Sequence, residues 1–71
     1  MNYFVYLARC CDKSLYTGSC NNIKAREIRH NEGEGAQYTR LRRPVKIVYF
    51  ERVSTLIEAR RREAQIKGWT R

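Results

Sequence analysis

Three groups of side chains in this sequence could do chemistry if the fold brings them together. In the first, Arg26 and His30 are four residues apart, so a helix would project them from one face, which they share with Ile23. A cation and an imidazole presented together suit a phosphate group. The alternative is that Arg26 belongs to a solvated surface and that His30 interacts favourably with the end of its helix.

The second candidate is a carboxylate, Glu63, four residues after Ala59 and three before Ile66. On a helix this spacing places it beside the apolar stripe that packs on the core. Glu63 is therefore a candidate metal ligand. The alternative, which the spacing alone favours, is an exposed ion pair with Lys67 four residues further on.

The third candidate is a pair of tyrosines, Tyr6 and Tyr16, on two predicted strands joined by a tight connection. A hairpin register could bring their hydroxyls close together, and one of them could then accept a proton. Because the ordinary tyrosine pKa is near 10, a nearby cation would have to lower it. The alternative for each is a half-buried strand residue with its hydroxyl in water.

The elements that must position these residues follow one another without a linker, which indicates one domain over residues 1–71. Aromatic and branched residues indicate strands, Gly and Asx residues mark turns, and polar residues without a period mark a loop. The first half is predicted to contain a strand over residues 3–9 and a short strand over 14–17 ending at Gly18. A helix over 23–30 follows, capped by Asn21 or Asn22 and ended by Gly33 and Gly35. The second half is predicted to contain a loop over 36–43 with at most one helical turn, a strand over 45–51 and a helix over 55–67.

Two of these elements carry specific expectations. The segment 45–51 is apolar on both faces, as expected for a strand in the middle of a sheet. Thr55 and Glu58 have the spacing of a capping box at the start of the last helix, which should end before Gly68. The order of elements predicts a small α/β or α+β sheet flanked by helices.

Composition restricts the class of protein. Fifteen basic and seven acidic residues give a net charge of +8, yet 42% of residues are hydrophobic, which excludes a disordered basic tail. The charge favours a polyanionic partner, and nucleic acid is preferred to a membrane because no apolar stretch could span one. Cys10, Cys11 and Cys20 form no CxxC pair, so reduced thiols without a structural metal are expected, in a cytoplasmic protein.

Two short motifs carry a resemblance that no single residue carries. The first reads Phe4-Val5-Tyr6 and the second Tyr16-Thr17-Gly18, and Asn22-Ile23 follows at the start of the predicted helix. Arg26 and His30 follow on the predicted first helix, and Glu63 follows on the last helix. The two motifs and these residues, in this order along the chain, resemble the GIY-YIG nuclease superfamily. Segments similar to its small stand-alone bacterial members are 35–40, 42–45, 48–49 and 63–67, and the resemblance extends from Tyr3 to about Gly68.

The resemblance implies a GIY-YIG endonuclease-like fold, with a three-stranded antiparallel sheet flanked by helices, that hydrolyses a DNA phosphodiester. It implies one divalent ion, Mg²⁺ or Mn²⁺, held by Glu63, and a close backbone approach at Gly18. Phe4 and Thr17 depart from the glycine and isoleucine of the motifs. The residues implied to be catalytic are Tyr6, Tyr16, Arg26, His30 and Glu63.

Basic residues outside this set are expected to contact the nucleic acid. Tyr38 could stack on a base or cover the core, and Trp69 could anchor on the sheet or contact a partner. Arg61 and Arg62 are predicted to point away from the packed face of their helix. The predicted nucleic-acid-binding residues are Tyr38, Arg40, Arg42, Arg43, Lys46 and Lys67.

The leading hypothesis is therefore a metal-dependent DNA endonuclease directed to DNA structure or ends, linked to DNA repair or recombination. No recognition domain accompanies it, so a protein partner could supply specificity. The alternatives are a non-catalytic nucleic-acid-binding module with the same fold and a structural protein on an RNA surface. Divalent-ion dependence and substrate preference discriminate among them.

Overall fold

A three-stranded antiparallel sheet carries the helices of this protein. The computed structural model describes residues 3–35 and 37–69, and within them it has three strands and three helices. The order agrees with the sequence prediction, and the segment predicted as a loop with at most one helical turn contains one short helix. The elements are β1 (Tyr3–Arg9), β2 (Leu15–Cys20), α1 (Ile23–Asn31), α2 (Gln37–Arg40), β3 (Lys46–Val53) and α3 (Leu56–Trp69).

The central strand of the sheet is β1, with strand order β2-β1-β3. The prediction that the strand over 45–51 lies in the middle is therefore wrong. Its apolar side chains Val48, Tyr49 and Phe50 are exposed, with 54% of Phe50 accessible to solvent. An apolar run indicates a β-strand, but it does not show whether both strand edges are paired, and β3 pairs only with β1 among the described strands.

The two faces of the sheet are covered by different helices. Tyr6 and Ala8 belong to a core that Ile23 of α1 joins, whereas Val5 packs with Ala59 and Ile66 of α3. Alternate residues of β1 thus enter opposite cores, as the pleat of a strand requires. This arrangement explains why the central strand is buried on both sides.

Several boundaries differ from those predicted. β2 continues through Gly18 to Cys20, because Gly18 takes its place in the ladder opposite Tyr6. α3 continues through Gly68 to Trp69, so Gly68 does not end it. A glycine inside a helix costs only about 1 kcal/mol relative to alanine, which the last turn tolerates.

Side chains cap both long helices. Asn22, one of the two predicted caps, accepts a hydrogen bond from the Ala25 amide at 3.0 Å. At α3, Thr55 Oγ1 accepts from the Glu58 amide at 3.2 Å, as predicted. The Glu58 carboxylate, however, accepts from the amide of Ser54 at 3.4 Å, one residue earlier than in a standard capping box.

The end of α1 is joined to the start of β3 by one side-chain amide. Asn31 Oδ1 accepts from the Val45 amide at 2.6 Å, and Asn31 Nδ2 donates to the Val45 carbonyl at 2.8 Å. Nearby, the Glu27 carboxylate accepts from the Ile47 amide at 2.8 Å. These bonds fix the helix that carries Arg26 relative to the sheet.

Replacing Asn31 with alanine should destabilise the fold. The substitution leaves both backbone groups of buried Val45 without their side-chain partner, which should lower the free energy of unfolding by about 1–3 kcal/mol. Urea denaturation followed by circular dichroism measures the change. Asn21→Ala, at an exposed position, is the control; equal stability of the two variants would contradict the role given to Asn31.

Candidate active site

One cleft of about 290 Å³ contains all the side chains that the sequence marked as catalytic. They come from β1, β2, α1 and α3, and the segment before α2 completes the wall. The prediction that these residues lie together thus agrees with the geometry. The residues that line the cleft are Tyr6, Tyr16, Gly18, Ser19, Arg26, His30, Gly35 and Glu63.

The pairing of β1 with β2 brings the two tyrosines together. Tyr6 lies opposite Gly18 and Tyr16 opposite Ala8, so the tyrosines are diagonal neighbours, with ring centroids 6.4 Å apart. A Cβ atom at Gly18 would lie 2.5 Å from the Tyr6 hydroxyl oxygen. Gly18 therefore allows the Tyr6 ring to lie directly on the backbone of β2.

His30 is buried in the wall of the cleft with both ring nitrogens hydrogen-bonded. Nε2 is 2.8 Å from the Tyr6 hydroxyl, and Nδ1 is 2.8 Å from the hydroxyl of Thr39 on α2. A phosphate contact by His30, one of the predicted roles, would require one of these bonds to break. The alternative, an interaction of His30 with the end of its helix, depends on a charged ring, and the burial of His30 disfavours that charge.

Burial controls the charge of this pair. It lowers the pKa of His30 below its usual value, and the positive charge of Arg26 lowers it further. Burial raises the pKa of Tyr6 and the neighbouring Tyr16 adds to the rise, while Arg26 opposes it. Both Tyr6 and His30 are therefore uncharged at neutral pH in the unliganded protein.

A stack of side chains positions Tyr16. The ring of Tyr38 on α2 lies over Tyr16 with centroids 5.9 Å apart and planes inclined by 22°. The Arg42 guanidinium lies 4.1 Å from the Tyr38 centroid, and its Nε is 3.2 Å from a carboxylate oxygen of Asp12. Base stacking by Tyr38 would therefore require displacement of Arg42 or Tyr16.

Glu63 is both a cleft residue and an ion-pair partner. Its carboxylate lines the cleft, and Lys67 Nζ lies 2.9 Å from one of its oxygens. Residues 3–35 and 37–69 contain no group of three or more His, Cys, Asp or Glu side chains that could hold a metal. One carboxylate in an open cleft fits Mg²⁺, which keeps most of its waters and takes one or two protein carboxylates.

The predicted basic contacts divide into two kinds. Arg40 and Lys46 are exposed. Arg42 and Arg43 hold the chain around α2, since Arg42 donates to the Tyr38 carbonyl at 2.7 Å and Arg43 to the Arg40 carbonyl at 3.0 Å. Lys67 pairs with the cleft carboxylate as described above.

Arg62 does not point away from the packed face, so that prediction is wrong. Its guanidinium makes two bonds to Glu51 on β3, at 2.9 and 2.8 Å, and lies 4.6 Å from the ring centroid of exposed Trp69. β3 lies close enough to α3 for the Glu51 carboxylate to accept hydrogen bonds from Arg62. The periodicity of the helix does not reveal this neighbour. Arg61 is exposed, as predicted.

The sequence prediction included neither Thr39 nor Gly35 in the site, and it gave Gly35 only the role of ending the first helix. Thr39 is buried against His30, and a Cβ atom at Gly35 would lie 2.1 Å from His30 Nδ1. Both residues lie in a segment without hydrophobic periodicity, which gave no signal of contact with the cleft. The glycine itself was the available clue, because a glycine can mark a close backbone approach.

Comparison with known proteins identifies the family. Residues 2–71 match the model of the GIY-YIG catalytic domain. The chain belongs to the GIY-YIG family. This family places it in a nuclease superfamily, as the motifs at Tyr6 and Tyr16 indicated.

The relatives of this GIY-YIG chain include small bacterial proteins. It is 52% identical over 69 residues to a UPF0213 protein of Staphylococcus epidermidis, covering 97% of this chain and 84% of that protein. It is 50% identical over 70 residues to a UPF0213 protein of Staphylococcus aureus, covering 99% and 85%. The solution NMR structure of a UPF0213 protein from Bacillus halodurans is similar, with 38% identity, a TM-score of 0.57, and coverage of 96% of this chain and 72% of that one.

These relatives support the fold prediction of a three-stranded antiparallel sheet with flanking helices. In the part of the chain that the structure describes, no helix is long and apolar enough to cross a membrane.

Cys10, Cys11 and Cys20 are free thiols, as expected.

His30 should titrate below its ordinary pKa near 6.5, because burial and Arg26 disfavour the imidazolium. As the pH falls below about 6.5, the histidine of the unfolded chain takes up a proton that folded His30 does not. The free energy of unfolding should therefore decrease as the pH falls through this range. The carbon-bound imidazole protons report the midpoint by NMR, and His30 is the one histidine in the sequence. A midpoint at or above 6.5 would contradict the burial argument.

Proposed function

We propose that this protein is a metal-dependent endonuclease that hydrolyses DNA phosphodiester bonds. The observation that carries the proposal is the convergence of Tyr6, Tyr16, Arg26, His30 and Glu63 on one cleft. The reaction needs a deprotonated water, neutralised phosphoryl oxygens and a stabilised leaving oxygen. The cleft offers candidate groups for the first two needs.

Arg26 is proposed to bind the scissile phosphate. A guanidinium fork matches two phosphate oxygens, and its charge offsets the negative charge that develops in the transition state. Its position beside Tyr6 and His30 agrees with this role, because its charge affects the pKa of both.

The attacking water is proposed to be oriented or deprotonated by Tyr6 or Tyr16. In the unliganded protein the raised pKa of Tyr6 opposes phenolate formation. Positive charge brought into the cleft would favour it. His30, bonded to the Tyr6 hydroxyl, is the group placed to assist this proton transfer.

Glu63 is proposed to hold one Mg²⁺ or Mn²⁺ ion. Such an ion neutralises charge on phosphate oxygens and increases the acidity of bound water. Because Glu63 also pairs with Lys67, binding of the ion requires that carboxylate to exchange partners or to serve both. The positive charge of Lys67 near the cleft would then be available to the DNA.

The substrate is proposed to be DNA recognised by its structure or ends, in repair or recombination. The net charge of +8 attracts the phosphate backbone. The proposed contacts carry no direct reading of bases, so a protein partner would supply sequence specificity. Proposed contacts are Tyr38, Arg40, Arg42, Arg43, Lys46 and Lys67, among which Tyr38, Arg40, Arg43 and Lys46 are exposed.

A non-catalytic DNA-binding module is the second candidate. It is favoured by the ion pair that Glu63 makes with Lys67, which neutralises the carboxylate proposed to hold the metal. The two candidates differ in turnover. Cleavage of labelled single-stranded, duplex and branched DNA with Mg²⁺ or Mn²⁺, compared with EDTA, separates them.

Glu63→Gln should abolish cleavage while leaving DNA binding without metal nearly unchanged. The amide cannot supply the negative charge that holds the ion, but its shape is similar. Lys67→Gln is the matched control, because it breaks the same ion pair and leaves the carboxylate in place. Because Lys67 is also a proposed DNA contact, the control should bind DNA more weakly but still cleave it when metal is present; full activity of Glu63→Gln would exclude the metal role.

Arg40→Ala should weaken DNA binding through the phosphate backbone. If Arg40 contacts one phosphate, the slope of log affinity against log salt should fall in magnitude by about one. Arg52→Ala is the charge-matched control, since Arg52 is exposed on β3, at the sheet edge away from β2. Arg52→Ala should keep the slope of the wild type, and the wild-type slope in Arg40→Ala would remove Arg40 from the interface.

A further inference from the structure

We propose that Thr39 is a positioning residue that fixes His30 as the Nδ1-protonated tautomer, so that the Tyr6 hydroxyl donates to Nε2 and turns its lone pairs toward the cleft. The tautomer itself is a property of the fold. Its consequence for cleavage rests on the proposed nuclease function.

The geometry is a linear chain of three buried side chains. Tyr6, His30 and Thr39 are 2%, 1% and 0% exposed, so bulk water does not compete for their hydrogen bonds. Both links, Tyr6 Oη to Nε2 and Nδ1 to Thr39 Oγ1, are 2.8 Å long. A neutral imidazole donates through one nitrogen and accepts through the other, so the two links have opposite directions.

The backbone at Gly35 closes the space beside Nδ1. A Cβ atom there would lie 2.1 Å from Nδ1 and 2.7 Å from Cε1 of His30. This close approach leaves no room for a water molecule in that direction. Thr39 Oγ1 is thus the group in hydrogen-bond contact with Nδ1 among the described residues, and it can accept the proton of Nδ1–H.

The direction of the chain decides what Tyr6 offers to the cleft. If Nδ1 carries the proton, Nε2 accepts the Tyr6 hydroxyl hydrogen, and the oxygen can accept a hydrogen bond from a water in the cleft. If Nε2 carries the proton, Tyr6 accepts from His30 and directs its own hydrogen elsewhere. Only in the first arrangement is the Tyr6 hydrogen directed to Nε2 while its oxygen accepts a hydrogen bond from the attacking water.

The test is the ring tautomer of His30, read by long-range proton–nitrogen correlation NMR on ¹⁵N-labelled protein at neutral pH. The sequence has one histidine, so the pattern is unambiguous. We expect protonated Nδ1 and unprotonated Nε2 in the wild type and in Thr39→Ser, which keeps the hydroxyl. Thr39→Val, of nearly the same shape without an acceptor, should shift the population toward Nε2–H.

Tyr6→Phe is the second variant and does not alter the Thr39 link. It should keep the proton on Nδ1, because Thr39 and not Tyr6 sets the tautomer. Nε2–H in the wild type, an unchanged tautomer in folded Thr39→Val, or a switch in Tyr6→Phe would each overturn the proposal. Amide spectra of the variants establish that they are folded.

Cleavage assays of the same variants test the consequence. Thr39→Val should lose about tenfold to a hundredfold in rate, by analogy with metal-ligating histidines, for which loss of the orienting partner typically costs that much, and Thr39→Ser should restore it. If the wild type cuts no DNA, the nuclease function fails while the NMR result still decides the tautomer. A Thr39→Val enzyme with a switched tautomer and unchanged rate would overturn the positioning role.

Discussion

An imidazole buried inside a small protein costs free energy unless both of its nitrogens are hydrogen-bonded. His30 meets this requirement with Tyr6 from the central strand and Thr39 from the short helix α2. Gly18 and Gly35 lack the Cβ atoms that would collide with Tyr6 and His30. The segments that carry Tyr6, Gly18, Gly35 and Thr39 thus all pack around the His30 ring or its partner Tyr6. The cleft is the space beside these two rings.

The sequence was informative wherever one residue type serves one local purpose. Asn22 and Thr55 cap their helices as predicted, and the spacing of Arg26 and His30 placed both on the cleft side of α1. The sequence was misleading where the position of a segment depends on a partner far away in the chain. The apolar run of β3 predicted a central strand, although Phe50 lies on an edge strand and is exposed.

Partners that lie far apart in the chain explain the remaining differences. Arg62 is bonded to Glu51 of β3, and Thr39 is bonded to His30. Neither contact has a sequence spacing that a helix or strand period could reveal, because each joins different elements. The motif resemblance supplied the candidate catalytic residues, but not the side chains that hold these residues in place.

The positive charge of the chain has two uses. Of the arginines near α2, Arg42 is bonded to Asp12 and to a backbone carbonyl, and Arg43 bonds the carbonyls of Arg40 and Asn31. A guanidinium held in this way is less available to a phosphate than one in water. The net charge of +8 therefore overstates the number of contacts that a DNA backbone could gain.

The cleft is assembled from both ends of the chain, since Tyr6 lies on the first strand and Glu63 on the last helix. During synthesis the hairpin that holds both tyrosines and the helix with Arg26 emerge from the ribosome well before α3 does. An unfinished chain would thus present basic side chains to nucleic acid while lacking the carboxylate proposed to hold the metal. The cleavage that we propose would therefore require α3 to be docked on the sheet, because α3 carries Glu63.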